Sequence, residues 1–170
     1  RIWKSYHKPC VMLVLLSLSV QLMACTIIAV GKNASADGSV IISHTDCGPD
    51  CRIRVIHGKQ FESGSLAPVH WGIQDIHRPL DDLGDVIGHI PQVAQTYSYF
   101  HSAYPHINEH QLAIAESTTS QREELYVDMA VCKQIMTVEQ AMAFALQRYA
   151  TAREATAFIG NLMSEYGFLP

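Results

Sequence analysis

The 170-residue chain is 48% hydrophobic, enough for one core, and carries a formal net charge of −4. Setting aside residues 1–24 leaves 9 Lys and Arg against 16 Asp and Glu, a net charge of −7. No Lys/Arg cluster remains to neutralise phosphates, which argues against a nucleic-acid partner.

The first 24 residues differ from the rest. Arg1, Lys4 and Lys8 make a basic start, Val11 to Leu22 is an apolar run of 12 residues, and Ala24 is a small residue before Cys25. This is the order of a secretory signal, and the run is short against the roughly 20 apolar residues of a membrane span. The expectation is a signal peptide over 1–24, a protein of the secretory pathway (secreted, lysosome-like or periplasmic), and no stable membrane span after its removal. The chain starts at Arg1 rather than Met and stops in mid-run at Gly167-Phe168-Leu169-Pro170, so a piece of a longer protein is expected.

Cys25 stands at the join, and three readings of it are open. It is a passive residue after the cut, a lipid-bearing cysteine in the lipobox-like Leu22-Met23-Ala24-Cys25, or a catalytic amino terminus. A terminal cysteine would combine a thiol with an α-amine whose reference pKa is about 7.7–8.0, so the nucleophile would bring its own general base.

Thr26 to Gly31 and Ser39 to His44 are β-branched apolar runs flanking Lys32-Asn33-Ala34-Ser35-Ala36-Asp37-Gly38, a turn-rich stretch. They predict a β-hairpin with Cys25 at the start of its first strand. Asn33-Ala34-Ser35 on that turn is a glycosylation sequon. Cys47 and Cys51 could close a small loop, and a zinc pair is disfavoured because no second pair at metal spacing accompanies them. Arg52 to Gly58 alternates as a third strand.

Residues 60–105, punctuated by Pro68, Pro79, Pro91 and Pro105, read as long loops with short ordered pieces. Asp81, Asp82 and Asp85 read as solvated loop charges rather than a calcium site, lacking the alternating ligand set. His101, His106 and His110 read as loop histidines, one or two lining a cleft, rather than metal ligands. Gln111 to Ser117 reads as a strand, and Leu125 to Val131 as a strand or helical turn.

Thr137 with Gln140, and Thr151 with Glu154, match the capping box. The second helix they open carries Ala155, Phe158, Ile159, Leu162, Met163 and Tyr166 on one stripe and ends at Gly167. Two helices joined near Ala150 predict an αα-hairpin covering an antiparallel sheet, an α+β class.

Cys25 to Asp46 resembles the mature start of the dipeptidase A-type cysteine peptidases of the N-terminal nucleophile hydrolase superfamily. The matching positions are Cys25, Thr26, Gly31, Lys32, Ala34, Ser35, Asp37, Gly38, Ser39 and Asp46. Ile90 to Thr118, with Asn108-Glu109-His110-Gln111 and Glu116-Ser117-Thr118, and Thr151 to Phe168, with Thr151-Ala152-Arg153-Glu154-Ala155, are similar to later segments of the same family.

The resemblance implies an αββα sandwich, of which residues 25–170 would be the amino-terminal part. It implies hydrolysis of small peptides, typically dipeptides, through a thioester on Cys25. Asp46 would orient the terminal amine, and Thr118 would serve the oxyanion. His44, Asn108 and Glu116 are read on the substrate side, Asn108 with a turn- or loop-supporting role. No cofactor and no metal are implied, the partner is a small peptide substrate, and oligomerisation is left open. Ser43 stands where related amidases carry Arg, which favours a dipeptidase over an amidase of non-peptide substrates. A lipoprotein binding module acylated on Cys25 and an inactive relative remain the alternatives.

Overall fold

The computed structural model describes residues 25–45, 52–71, 83–117, 122–126, 128 and 131–169. Residues 1–24, where a signal peptide is expected, and Asp46, Cys47, Cys51, Asp81, Asp82 and Thr118 lie outside the described residues.

β1 (Thr26–Val30) and β2 (Ile41–Thr45) form the expected antiparallel hairpin, with Thr26 opposite Thr45 and Ile27 opposite His44. Its turn is held by Ala34 N donating to Gly31 O and by the Asp37 side chain accepting from Ser39 N. β3 (Arg54–Ile56) falls inside the expected third strand and pairs with β6 (Tyr99–His101), which pairs in turn with β7 (Pro105–Asn108).

The loop reading of residues 60–105 is corrected. β4 (Leu66–Trp71) and β5 (Asp85–Pro91) form an antiparallel pair there. Pro68 and Pro91 misled because proline lacks a ladder donor, but both strands of a two-stranded sheet are edges, where proline is tolerated. The register shifts between Val69 and His70, next to Gly88. A Cβ on Gly88 would lie 2.5 Å from Ile135 Cδ1, so the missing side chain lets the sheet approach that residue. The expected strand at Gln111 to Ser117 is likewise not formed: only Ala113 bridges Ile107. Residues 123–125 form a 3-10 turn. In place of one antiparallel sheet there are three small ones among the described residues.

α1 (Val138–Arg148) and α2 (Ala152–Tyr166) are the two expected helices. Each begins on its predicted threonine: Thr137 Oγ1 accepts from Gln140 N at 3.3 Å, and Thr151 Oγ1 accepts from Glu154 N at 3.4 Å. The return half of the box is absent. Gln140 Oε1 accepts from His70 N on β4, and Glu154 Oε2 accepts the Thr151 hydroxyl at 2.6 Å.

α1 is the centre of the core, buried from Glu139 to Leu146. Ala141 and Phe144 pack with Ala67, Val69 and Ile90 of the β4–β5 sheet and with Met136 and Leu162. Ala143, Ala145 and Leu146 pack with Tyr99, Leu112 and Ala155, and Met142 with Ala103 and Tyr104. Three alanines in one helix, Ala141, Ala143 and Ala145, favour the helical state and let three layers approach it closely. The stripe of α2 faces this core as expected, with Ala155 and Leu162 buried and Phe158, Ile159, Met163 and Tyr166 packed beside them. The result is a mixed α+β fold of small antiparallel sheets around an αα-hairpin.

Candidate active site around Cys25

Cys25 is half-buried and directly precedes β1. Its carbonyl accepts from Ser117 Oγ at 3.2 Å, and the next amide, Thr26 N, donates to Thr45 Oγ1 at 3.1 Å. The backbone at the head of β1 is therefore held from two sides. Strand alternation carried back one residue puts Cys25 on the face shared by Ile27 and its cross-strand partner His44. His44 is then the diagonal neighbour of Cys25, a relationship that spans about 7–8 Å between Cα atoms.

His44 lies in a ring of polar groups. Its Nδ1 is 3.3 Å from Glu116 O and 3.9 Å from Glu116 Oε1, and its Nε2 is 3.4 Å from His106 Nδ1. On its other side, His106 Nε2 is 2.6 Å from Ser102 Oγ. The His106 ring meets His44 edge-on at 5.4 Å, and Tyr104 meets His44 at 6.2 Å. Burial, and after it the charge of His44, holds His106 below the ordinary histidine pKa of 6.5.

His44 and Glu116 are thus brought together beside the head of β1. Asn108 is not part of that group. Its Nδ2 donates to Leu146 O and Tyr149 O, both at 2.8 Å, and its Oδ1 accepts from His110 N and Leu112 N, both at 3.0 Å. Both ends of this buried amide are used by the fold, so the geometry carries its turn-supporting role. Asn108-Glu109-His110-Gln111 is a tight turn: Gln111 N donates to Asn108 O, and Gln111 takes the left-handed φ of 63°. Asp46 and Thr118, expected as amine-orienting and oxyanion residues, lie outside the described residues. Their neighbours Thr45 and Ser117 both make hydrogen bonds at the head of β1.

Ser102, Tyr104 and His106 are site neighbours that sequence reasoning did not assign to Cys25. No local pattern relates position 44 to position 106; the turn from β6 into β7 makes the contact. The other two histidines of that stretch diverge. His101 is buried and faces Arg54, whereas His110 stacks edge-on against Tyr97 at 4.2 Å. Among the described residues no group of three or more His, Cys, Asp or Glu side chains is arranged to hold a metal ion. Neither Cys25 nor Cys132 is in a disulfide among the described residues. No helix among them is long and apolar enough to cross a membrane. A separate cavity of about 250 Å³, lined by Lys59, His70, Tyr99, His101, Gln140 and Phe144 among others, lies between the sheets and α1 and is not lined by Cys25 or His44.

Compared with known proteins, the chain matches the model of a family described as Peptidase family C69 over residues 24–169. No curated protein and no solved structure matches it.

Proposed function

The chain belongs to peptidase family C69, and from that premise we propose that it is a cysteine dipeptidase whose nucleophile is the Cys25 thiol. Residues 1–24 act as a secretory signal, and their removal exposes the α-amine of Cys25. The mature fold is the αββα sandwich of the N-terminal nucleophile hydrolases.

In the reaction, the α-amine takes the thiol proton, and the thiolate attacks the carbonyl carbon of a small peptide. The tetrahedral oxyanion is stabilised by hydrogen-bond donors near Thr118. The peptide C–N bond breaks, the proton held by the α-amine passes to the departing amine, and a thioester remains on Cys25. Water deprotonated by the same amine hydrolyses the thioester. Asp46 orients the ammonium form, and His44 and Glu116 form the wall beside the nucleophile on the substrate side.

The observation that carries this reading is the anchored position of Cys25. It stands at the head of the β1–β2 hairpin, its carbonyl is held by Ser117, and strand alternation puts His44 on the same face. A rigid element holds a nucleophile in its attack geometry better than a loop does. Amino-terminal sequencing of the exported protein tests the base: a mature chain starting at Cys25 with an unmodified amine is expected. A diacylglyceryl group on that amino-terminal residue would replace the dipeptidase reading with a lipoprotein one, since a thioether at the sulfur removes the nucleophile and acylation of the amine would remove the base.

A further inference from the structure

The contacts around His44 fix the hydrogen positions of two histidines. His44 Nδ1 faces two oxygens of Glu116, the carbonyl at 3.3 Å and Oε1 at 3.9 Å, and neither can donate from an ionised residue. His44 Nδ1 must therefore carry the proton. In the neutral ring its Nε2 is then an acceptor, so the proton between the rings belongs to His106 Nδ1, 3.4 Å away. That leaves His106 Nε2 as an acceptor, and Ser102 Oγ at 2.6 Å supplies the O–H. One chain of donors runs in one direction, from Ser102 through His106 and His44 to the Glu116 carbonyl. The residue after Glu116 donates to the Cys25 carbonyl.

We propose that His44 and His106 are positioning residues that act as one unit, accepting at most one proton beyond the two of the neutral rings, and that this unit keeps the Glu116-Ser117 segment on the head of β1. The inference rests on the reading of Cys25 as nucleophile for its functional consequence, though not for its structural one. One added proton is accommodated. His44 takes it on Nε2, His106 shifts its own proton to Nε2, and Ser102 Oγ becomes the acceptor. A second proton is not accommodated, because His44 Nε2–H and His106 Nδ1–H would then point at each other between two positive rings. Acidification past that point breaks the chain and loosens Ser117 from Cys25.

Among the described residues, three further sets of groups stand near the pair. The Glu116 carboxylate stands beside His44, with Oε1 3.9 Å from Nδ1. The Tyr104 ring edge lies 6.2 Å from His44 and carries no charge in this range. Beyond Ser102, the His101 ring closes on the Ser102 carbonyl, and Arg54 from β3 lies 3.3 Å from that ring, adding positive charge that opposes the second proton. The lowered affinity of half-buried His106 for a proton agrees with this arrangement.

The test is the ring-nitrogen NMR of the full chain above neutral pH and during acid titration, beside the pH profile of dipeptide hydrolysis. Both rings are expected as the Nδ1–H tautomer, which is the less favoured one in a free histidine side chain, and protonation at one is expected to shift the other. An Nε2–H tautomer at either ring, or two independent titrations, overturns the proposal whatever the enzyme's activity. His106→Asn keeps an N–H donor where Nδ1 stands. It is expected to retain neutral-pH turnover and to move the acid limb of kcat/KM to lower pH, whereas His106→Phe loses about tenfold in kcat with KM little changed. An unmoved acid limb in His106→Asn, in protein that folds, also overturns it. Activity that survives loss of the Cys25 thiol would remove the nucleophile reading and leave the tautomer result standing.

Discussion

Ser117 Oγ donates to the carbonyl of Cys25 at 3.2 Å, tying the head of the first strand to a residue 92 positions later. Together with the His44 contacts to Glu116 and His106, this bond joins the hairpin to the rest of the fold. Ser117→Ala removes the donor and leaves the carbonyl half-buried. We expect a loss of about 0.5–1.5 kcal/mol in chemical denaturation, the usual net worth of one such bond. Dipeptide turnover should fall by more than the folded population does. A variant with wild-type stability and wild-type kcat would show that the contact does not position Cys25.

Asn108 joins the β7 turn to the end of α1 through four hydrogen bonds. Two of them satisfy the Leu146 and Tyr149 carbonyls, which a helix terminus otherwise leaves without partners. Asn108→Ala abandons those carbonyls and two amides in a buried place. The expected cost is about 2–4 kcal/mol, from several bonds of about 1 kcal/mol each and incomplete access of water to the groups left behind. Thermal unfolding checks it. Undiminished stability together with a raised KM would return Asn108 to the substrate side.

What could be read from the sequence was what neighbours in the chain decide. The hairpin of β1 and β2 follows from two β-branched runs and a turn of Asn, Ser, Asp and Gly. The starts of α1 and α2 follow from Thr137 and Thr151, and the stripe from Ala155 to Tyr166 follows from helical spacing. β4 and β5 were hidden by Pro68 and Pro91, which read as breakers unless it is known that both strands are edges. Gln111 to Ser117 has strand composition, yet it forms only the isolated bridge at Ala113, and its end is held by side chains: Glu116 O faces His44, and the Ser117 hydroxyl donates to the Cys25 carbonyl. For the site, Cys25, His44 and Glu116 were visible as residues but their proximity was not. Contacts across 72 and 62 positions, His44 to Glu116 and His44 to His106, arise only when three separate segments pack.

The cap of α2 gives a local test. Thr151 Oγ1 accepts from Glu154 N and its hydroxyl donates to Glu154 Oε2. Thr151→Ala should cost about 1 kcal/mol, the common value for losing a hydroxyl cap. Thr151→Ser should restore most of it, read as the midpoint of urea unfolding. Equal loss in both variants would place the effect in packing of the methyl group rather than in the cap.

The sign of the pH dependence follows from His106. Its folded pKa lies below the ordinary 6.5, chiefly through burial and secondarily through His44. As pH falls through about 6.5 the unfolded chain takes up the proton before the folded one does, so stability declines from there down to the folded pKa. Above 6.5 this contribution is fully present and flat. His106→Asn should flatten that part of the stability profile, measured by denaturation at successive pH values. A profile of unchanged slope would mean that the ring stays solvated in the folded state.

The nucleophile itself is tested by intact-mass and peptide-mapping analysis of the full chain after exposure to an electrophilic dipeptide analogue, beside the turnover of Cys25→Ala. The account predicts one adduct, on Cys25, with loss of dipeptide hydrolysis in proportion to labelling, and no hydrolysis above background in Cys25→Ala. An adduct confined to another cysteine such as Cys132, or wild-type turnover in Cys25→Ala, would contradict it.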